Sequence, residues 1–163
     1  MYLSTFERLI ADLQSACQAV YGPRLRALAI FGSVARGTPR PDSDIDLLLV
    51  ADPLPQGRRA RLLEFEAVDQ RLDESLRLAR RQGVHTCVSP ILKTPEELVQ
   101  GSLLYLDMIE DARILIDVDG ILRRHLDALA SRLRTMGARK ISKGGGYYWE
   151  LKPDYRWGEH IRL

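Results

Sequence analysis

Hydrophobic and polar positions alternate along the chain in blocks that predict helices and strands in turn. Apolar residues recur at helical spacing between residues 5 and 20, and Gly22-Pro23 ends this predicted helix. The apolar runs Leu25 to Phe31 and Ile45 to Ala51 fit buried strands better, because they are short and bounded by turn-forming residues. The stretch between them, residues 32–43, is rich in Gly, Pro, Ser and Thr, so we expect a loop there.

The rest of the chain continues this alternation. The pattern predicts an amphipathic helix from Gln56 to Gln82, a strand from Val84 to Ile91, a helix beginning at Thr94, a strand from Ala112 to Val118, and a helix from Ile121 to Met136 that Gly137 ends. Ser4 with Glu7, and Thr94 with Glu97, predict capping boxes at two helix starts. This order predicts an α/β (or α+β) fold, with a mixed, mostly four-stranded sheet and helices packed on it.

Length and composition indicate one folded domain. The chain has 163 residues, of which 45% are hydrophobic and 28% charged, and a chain of this size can bury a core of its own. We expect residues 1–137 to form the domain and residues 138–163 to form a basic, Gly- and aromatic-containing extension packed on it. Two cysteines suggest neither a disulfide framework nor a metal cluster. The sequence has no membrane-length apolar run or signal-peptide pattern, so we expect a cytoplasmic protein.

The charge distribution leaves two interpretations open. The net charge is only +2, but residues 123–163 contain ten Lys or Arg against four Asp or Glu. This basic quarter could bind nucleic acid, or it could be the solvated face of a helix and a tail. The segment Gly144 to Trp149 is equally open, because its rings could stack on a base, a Tyr147 or Tyr148 hydroxyl could act as an acceptor, or a hairpin could pack its aromatics on the sheet.

Two aspartates and a glycine–serine turn carry the most chemical information. Asp44 and Asp46 are two residues apart at the start of a predicted strand, so they point to one face, roughly 6–7 Å apart. Like charges at that separation resist joint ionisation, which favours a bound Mg²⁺, with one or two ions possible. Gly32 has no Cβ, so a phosphate can approach its backbone, and Ser33 adds a hydroxyl and an amide.

A P-loop is the nearest competing motif. Gly32 and Gly37 have its glycine spacing, but Thr38 and Pro39 stand where the motif requires Lys and Ser or Thr. Pro39 and Pro41 also disfavour the helix that a P-loop begins. We therefore reject a P-loop.

The local sequence FGSVARGTPRPDSDIDLLLV resembles the signature of the nucleotidyltransferase superfamily related to DNA polymerase beta. It is especially similar to the minimal nucleotidyltransferases, some of which are antitoxins beside HEPN-type ribonuclease toxins. The resemblance implies that Gly32 and Ser33 hold the nucleotide phosphates, that Arg36 contacts a phosphate, and that Asp44 and Asp46 bind Mg²⁺. It also implies transfer of a nucleoside monophosphate from ATP or another NTP to a hydroxyl on a protein, an RNA or a small molecule.

The chain departs from this family at one position. Active members usually carry a third carboxylate on the next strand, but the predicted strand Val84 to Ile91 has no acid. If the strand register matches, His85 takes that place, where a neutral imidazole could accept a proton or bind metal; otherwise His85 is an ordinary polar residue. The leading prediction is a Mg²⁺-dependent nucleotidyltransferase. The alternative is a nucleotide-binding pseudoenzyme or antitoxin-like subunit that binds a partner such as a HEPN-type toxin.

Overall fold

The computed structural model describes residues 2–161, which form six α-helices and six β-strands with two short 3-10 turns. The helices are α1 (Tyr2–Tyr21), α2 (Gly32–Ala35), α3 (Arg58–Arg81), α4 (Pro95–Val99), α5 (Leu104–Asp111) and α6 (Ile121–Thr135). The strands are β1 (Leu25–Phe31), β2 (Ile45–Ala51), β3 (Val88–Lys93), β4 (Arg113–Asp117), β5 (Arg139–Lys143) and β6 (Gly146–Glu150).

Four strands form one mixed sheet in the order β3-β2-β1-β4. Strand β1 pairs antiparallel with both β2 and β4, whereas β2 and β3 are parallel and joined through α3. Strands β5 and β6 form a separate antiparallel hairpin. The predicted α/β class with a mixed four-stranded sheet is therefore confirmed, and the predicted bounds of β1 and β2 agree with the structure.

Both faces of the sheet are covered by helices, because side chains alternate along each strand. Leu28 of β1 and Leu47 of β2 belong to the buried cluster that α1 and α3 cover. Ala29 and Leu48, one residue further along the same strands, belong to the cluster that α4, α5 and α6 cover. Both central strands are apolar on both sides, which is why they read as continuous hydrophobic runs.

Strand β3 begins later than predicted. Residues 84–87 were expected to belong to it, but the ladder with β2 starts at Val88, opposite Ile45. The preceding residues instead contact the loop before β2, where the His85 amide donates to the Pro41 carbonyl at 2.7 Å and the Ile45 amide donates to the Cys87 carbonyl at 2.9 Å. Val84 is buried, so its hydrophobicity reflects core packing rather than membership of a strand.

The two predicted capping boxes have different outcomes. At α4 the prediction is confirmed, because the Thr94 hydroxyl accepts from the Glu97 amide at 3.3 Å and the Glu97 carboxylate accepts from the Thr94 amide at 3.0 Å. At α1 it is wrong, because that helix already begins at Tyr2 and contains Ser4. Glu7 pairs instead with Arg113 of β4, at 2.6 Å. The helix predicted to begin at Thr94 is α4, which ends at Val99, and a second helix, α5, follows it after Gly101, whose φ is +82°.

The β5–β6 hairpin packs on the α5–α6 side of the sheet. Trp149 of β6 and the following Leu151 are partly buried against the cluster that includes Leu129 and Leu133 of α6. Tyr148 points to the opposite side of the hairpin and is 50% exposed. None of the helices within residues 2–161 combines the length and apolarity that crossing a bilayer requires.

Candidate active site

The sequence FGS forms a sharp turn at the end of β1, and the start of β2 faces this turn. Phe31, the last residue of β1, pairs with Asp46 in the antiparallel ladder. Gly32 then opens the short helix α2 with a φ of +74°. A Cβ built on Gly32 would lie 2.5 Å from Asp46 Oδ2, so any side chain there would force the Asp46 carboxylate to move. The positive φ and this close approach both favour glycine at position 32.

Asp44 and Asp46 influence each other electrostatically. Asp46 is half-buried, and Asp44 is exposed in the loop just before β2. Burial raises the pKa of Asp46, the negative charge of Asp44 raises it further, and the nearby Arg36 guanidinium lowers it. Because the largest cause is loss of hydration, a cation at this position would compensate for both unfavourable effects.

Cys87 contacts one of the two aspartates, which the sequence analysis did not anticipate. Its Sγ donates to Asp44 Oδ1 at 3.1 Å. This hydrogen bond, together with partial burial and the charges of Asp44, Asp69 and Asp46, raises the pKa of Cys87 to about 11. The thiol is therefore protonated at neutral pH and acts as a hydrogen-bond donor that orients Asp44. No sequence pattern identifies this pair, because the contact depends on where residues 84–87 cross the loop before β2.

Arg36 follows α2 and forms an ion pair with the last residue of α5. Arg36 Nη1 lies 2.9 Å from Asp111 Oδ2, and the Arg36 side chain is 42% exposed. The same guanidinium lowers the pKa of Asp46, so its charge reaches the aspartate pair. The guanidinium has five N–H donors, of which the Asp111 contact uses one, so further donors remain for an anionic ligand.

His85 does not occupy the strand position that the register argument assigned to it. In the parallel ladder the residue beside Asp46 is Ser89, and His85 lies before the strand with an exposed side chain. The prediction about its place failed because β3 begins at Val88. A chemical role for His85 stays a prediction. Ser89 lies beside Asp46 in the ladder, and Cys87 contacts Asp44.

The aspartate pair fits a divalent cation that shares its coordination with a substrate. Within residues 2–161, no group of three or more His, Cys, Asp or Glu side chains could hold a metal ion. Mg²⁺ in nucleotide enzymes is commonly held by only one or two carboxylates, with phosphate oxygens and water completing its octahedron. Burial and the negative charge of Asp44 both raise the pKa of Asp46, and a bound cation would oppose both effects.

A separate groove of about 400 Å³ lies between the start of α3 and the end of β3. Its wall includes Arg61, whose guanidinium forms an ion pair with the Glu97 carboxylate at 2.6 Å. None of the predicted site residues is among the residues that line this groove.

Comparison with known proteins shows the family of the chain. The nucleotidyltransferase domain family matches residues 13–115, so the chain belongs to that family of NTP- and divalent-metal-using transferases. Putative protein adenylyltransferase MJ1305 of Methanocaldococcus jannaschii is 30% identical over 125 residues, which cover 74% of this chain and 78% of that protein. Putative protein adenylyltransferase MJ0604 of the same organism is 28% identical over 112 residues, which cover 67% of this chain and 96% of that protein.

Two solved structures are also similar to the chain. A toxin-antitoxin crystallised with AMP-PNP has a TM-score of 0.48 and 16% identity, covering 78% of this chain and 91% of that one. The toxin-antitoxin MntA-HepT has a TM-score of 0.42 and 15% identity, covering 82% of this chain and 91% of that one.

The close approach at Gly32 predicts a specific stability penalty. We expect Gly32→Ala to destabilise the protein by about 1–3 kcal/mol more than Gly37→Ala, because both glycines have positive φ but only Gly32 faces a nearby atom. Urea unfolding measures both values. The penalty at Gly32 should shrink in an Asp46→Ala background, where the clashing oxygen is absent. An equal cost in both backgrounds would contradict the close approach.

The raised pKa of Asp46 predicts how stability depends on pH. The folded state keeps this proton to a higher pH than the unfolded state, whose Asp pKa is near 3.8, so the contribution of Asp46 to stability falls as pH rises through that window. Asp46→Asn removes the loss. The free energies of unfolding of Asp46→Asn and of wild type are measured with a chelator present. We expect the value for Asp46→Asn to rise relative to that of wild type between about pH 3 and pH 7. Asp42→Asn, on the exposed loop, is the control. A stability difference between Asp46→Asn and wild type that does not change with pH would contradict the raised pKa of Asp46.

Proposed function

We propose that this chain is a magnesium-dependent adenylyltransferase that moves AMP from ATP to a hydroxyl group on a protein. The observation that carries the proposal is the contact between the Gly32 turn and Asp46, with Asp44 beside it. This arrangement places the backbone amides of the Gly32 turn beside a pair of carboxylates that could hold a cation. Both are needed to hold a nucleoside triphosphate in a defined position relative to an acceptor.

Each predicted residue has a distinct task in this proposal. Gly32 and Ser33 lie in the first turn of α2, whose early amides have no partner within the helix, so they can donate to phosphate oxygens. Asp44 and Asp46 hold the magnesium ion. When bound, that ion neutralises charge on the triphosphate and helps to align the attacking and leaving oxygens. Cys87 keeps the Asp44 carboxylate oriented through its 3.1 Å hydrogen bond.

Arg36 supplies the positive charge on the phosphate side. Its ion pair with Asp111 is partly exposed, so it is weak enough to be exchanged for, or shared with, a more highly charged phosphate. Arginine suits this task because its fork can bind two oxygens at once. Asp111 then fixes the position of the guanidinium before substrate arrives.

The relatives support the finer parts of the proposal. Both archaeal proteins are named as protein adenylyltransferases, which favours ATP as the donor and a protein as the acceptor. Neither RNA nor a small molecule is suggested by those names. His85, exposed near Pro41, remains a candidate for accepting a proton on the acceptor side.

Label transfer tests the proposed reaction. The chain is incubated with Mg²⁺, a cell extract as the source of acceptors, and ATP labelled at either the α or the γ phosphate. We expect protein to gain the α label but not the γ label, and Asp44→Ala or Asp46→Ala to lower the rate by roughly 10²-fold or more. Asp42→Ala, a neighbouring exposed aspartate, should keep the wild-type rate. Equal α labelling by wild type and both site variants would exclude the proposal.

A second candidate function is supported by the residue beside Asp46. If the third acid of the family belongs beside Asp46, where Ser89 lies, the chain lacks it and would bind nucleotide without efficient transfer, acting instead by binding a partner such as a HEPN-type toxin. This second candidate is the antitoxin-like subunit that the sequence analysis gives as the alternative. It differs from the first in predicting nucleotide binding without turnover.

Restoring the acid at this position distinguishes the two candidates. If the register correctly identifies the third position, Ser89→Asp should increase α-label transfer, because a third carboxylate would share the cation and could accept the acceptor's proton. Ser15→Asp, on the exposed side of α1, is the control for added charge. If wild type is nearly inactive and Ser89→Asp greatly increases α-label transfer, the chain is a nucleotide-binding subunit. If wild type is active and the increase is small, the chain is an active transferase. A loss of transfer in Ser89→Asp would contradict the placement of the third acid at this position.

A further inference from the structure

The β5–β6 hairpin is attached to α5 by two polar contacts close together. Tyr147 Oη donates to Asp107 Oδ1 at 2.7 Å, and Lys140 Nζ lies 2.8 Å from Glu110 Oε2. The same ammonium lies 4.1 Å from the centroid of the Tyr147 ring, so the ring is fixed from two sides. The hairpin therefore presents one tyrosine hydroxyl, already hydrogen-bonded to a carboxylate, on a defined surface.

That surface is continuous with the candidate active site. Asp107 and Asp111 are four residues apart on α5, so they lie on the same face of the helix one turn from each other. Asp107 holds the Tyr147 hydroxyl, and Asp111 holds Arg36. The hydrogen bond to Asp107 raises the pKa of Tyr147, and the charge of Arg36 opposes this shift. Arg36 also opposes the upward shift that burial causes in the pKa of Asp46, so one guanidinium lies within electrostatic reach of both side chains.

We propose that Tyr147 is an acceptor of the nucleotidyl group within the same chain. This inference rests on the proposed function and adds a modification site to it. The phenolic oxygen of Tyr147 forms a bond to the α-phosphorus of ATP, and the bond between that phosphorus and the oxygen bridging to the β-phosphate breaks. Pyrophosphate leaves, and the phenolic proton passes to the Asp107 carboxylate, which already accepts its hydrogen bond.

Two features distinguish Tyr147 from the other tyrosines of the hairpin and tail. Its hydroxyl is hydrogen-bonded to a carboxylate, at a distance from which that carboxylate can accept the phenolic proton. The residue is also 44% exposed, so the side chain is open to solvent. Tyr148 has similar exposure, at 50%, but alternation along β6 turns it away from α5. Tyr148 is therefore a matched control.

The experiment follows the label in the chain itself, without added acceptor. Purified full-length protein is incubated with Mg²⁺ and α-labelled ATP, and the modified residue is located by peptide mass spectrometry. We expect wild type and Tyr148→Phe to gain AMP on Tyr147. Tyr147→Phe keeps the ring but lacks the hydroxyl, so we expect it to lose this labelling. Asp107→Asn should slow labelling of Tyr147 and change its pH profile. The labelled fraction per unit time should be independent of protein concentration.

The possible failures are distinguishable. Label that persists in Tyr147→Phe, or that maps to another residue, would overturn this inference and leave the transferase proposal intact. Transfer to proteins of the extract without labelling of the chain would do the same. A labelling rate per chain that rises in proportion to protein concentration would overturn transfer within one chain. Absence of label transfer to any protein would overturn the proposed function, and this inference with it.

Discussion

The close approach between the Gly32 backbone and the Asp46 carboxylate is the constraint on which the rest of the site depends. It exists because β1 and β2 pair in a register that sets Phe31 opposite Asp46. Apolar side chains on both faces of β2 hold that register, since Leu47 packs under α1 and α3 and Leu48 packs under α5 and α6. A slip of one residue would turn Asp46 toward the face that α1 and α3 cover, away from its position beside the Gly32 turn, so the pairing register positions the carboxylate.

Acids on the α5 side of the sheet have partners from other elements. Asp111 has Arg36, Glu110 has Lys140, and Asp107 has the Tyr147 hydroxyl. Asp44 accepts a hydrogen bond from the neutral Cys87 thiol, and burial and the charge of Asp44 raise the pKa of the half-buried Asp46. Under the proposed function, a cation held by the two carboxylates would offset these unfavourable effects, and Arg36 would stabilise the phosphates.

The sequence predicted the elements whose signals are local. Strands β1 and β2, the Thr94 capping box and the mixed α/β class follow from short apolar runs, turn residues and spacing, and the structure agrees with them. Contacts between distant segments could not be predicted in this way. The start of β3 at Val88, which puts Ser89 rather than His85 beside Asp46, depends on how residues 84–87 cross the loop at Pro41. The Arg36–Asp111 and Tyr147–Asp107 pairs join residues 75 and 40 positions apart, and only the docking of α5 brings them together.

The central claim is that Asp44 and Asp46 hold a divalent cation beneath a triphosphate at the Gly32 turn. Manganese can replace magnesium in such oxygen-rich sites and can be located by its anomalous scattering. A crystal of the chain with Mn²⁺ and a non-hydrolysable ATP analogue, measured at the manganese absorption edge, tests the claim most directly. The account predicts an anomalous peak within coordination distance of both carboxylates, with phosphate density next to Gly32 and Ser33. Nucleotide bound elsewhere, with no manganese peak at the two aspartates, would contradict it.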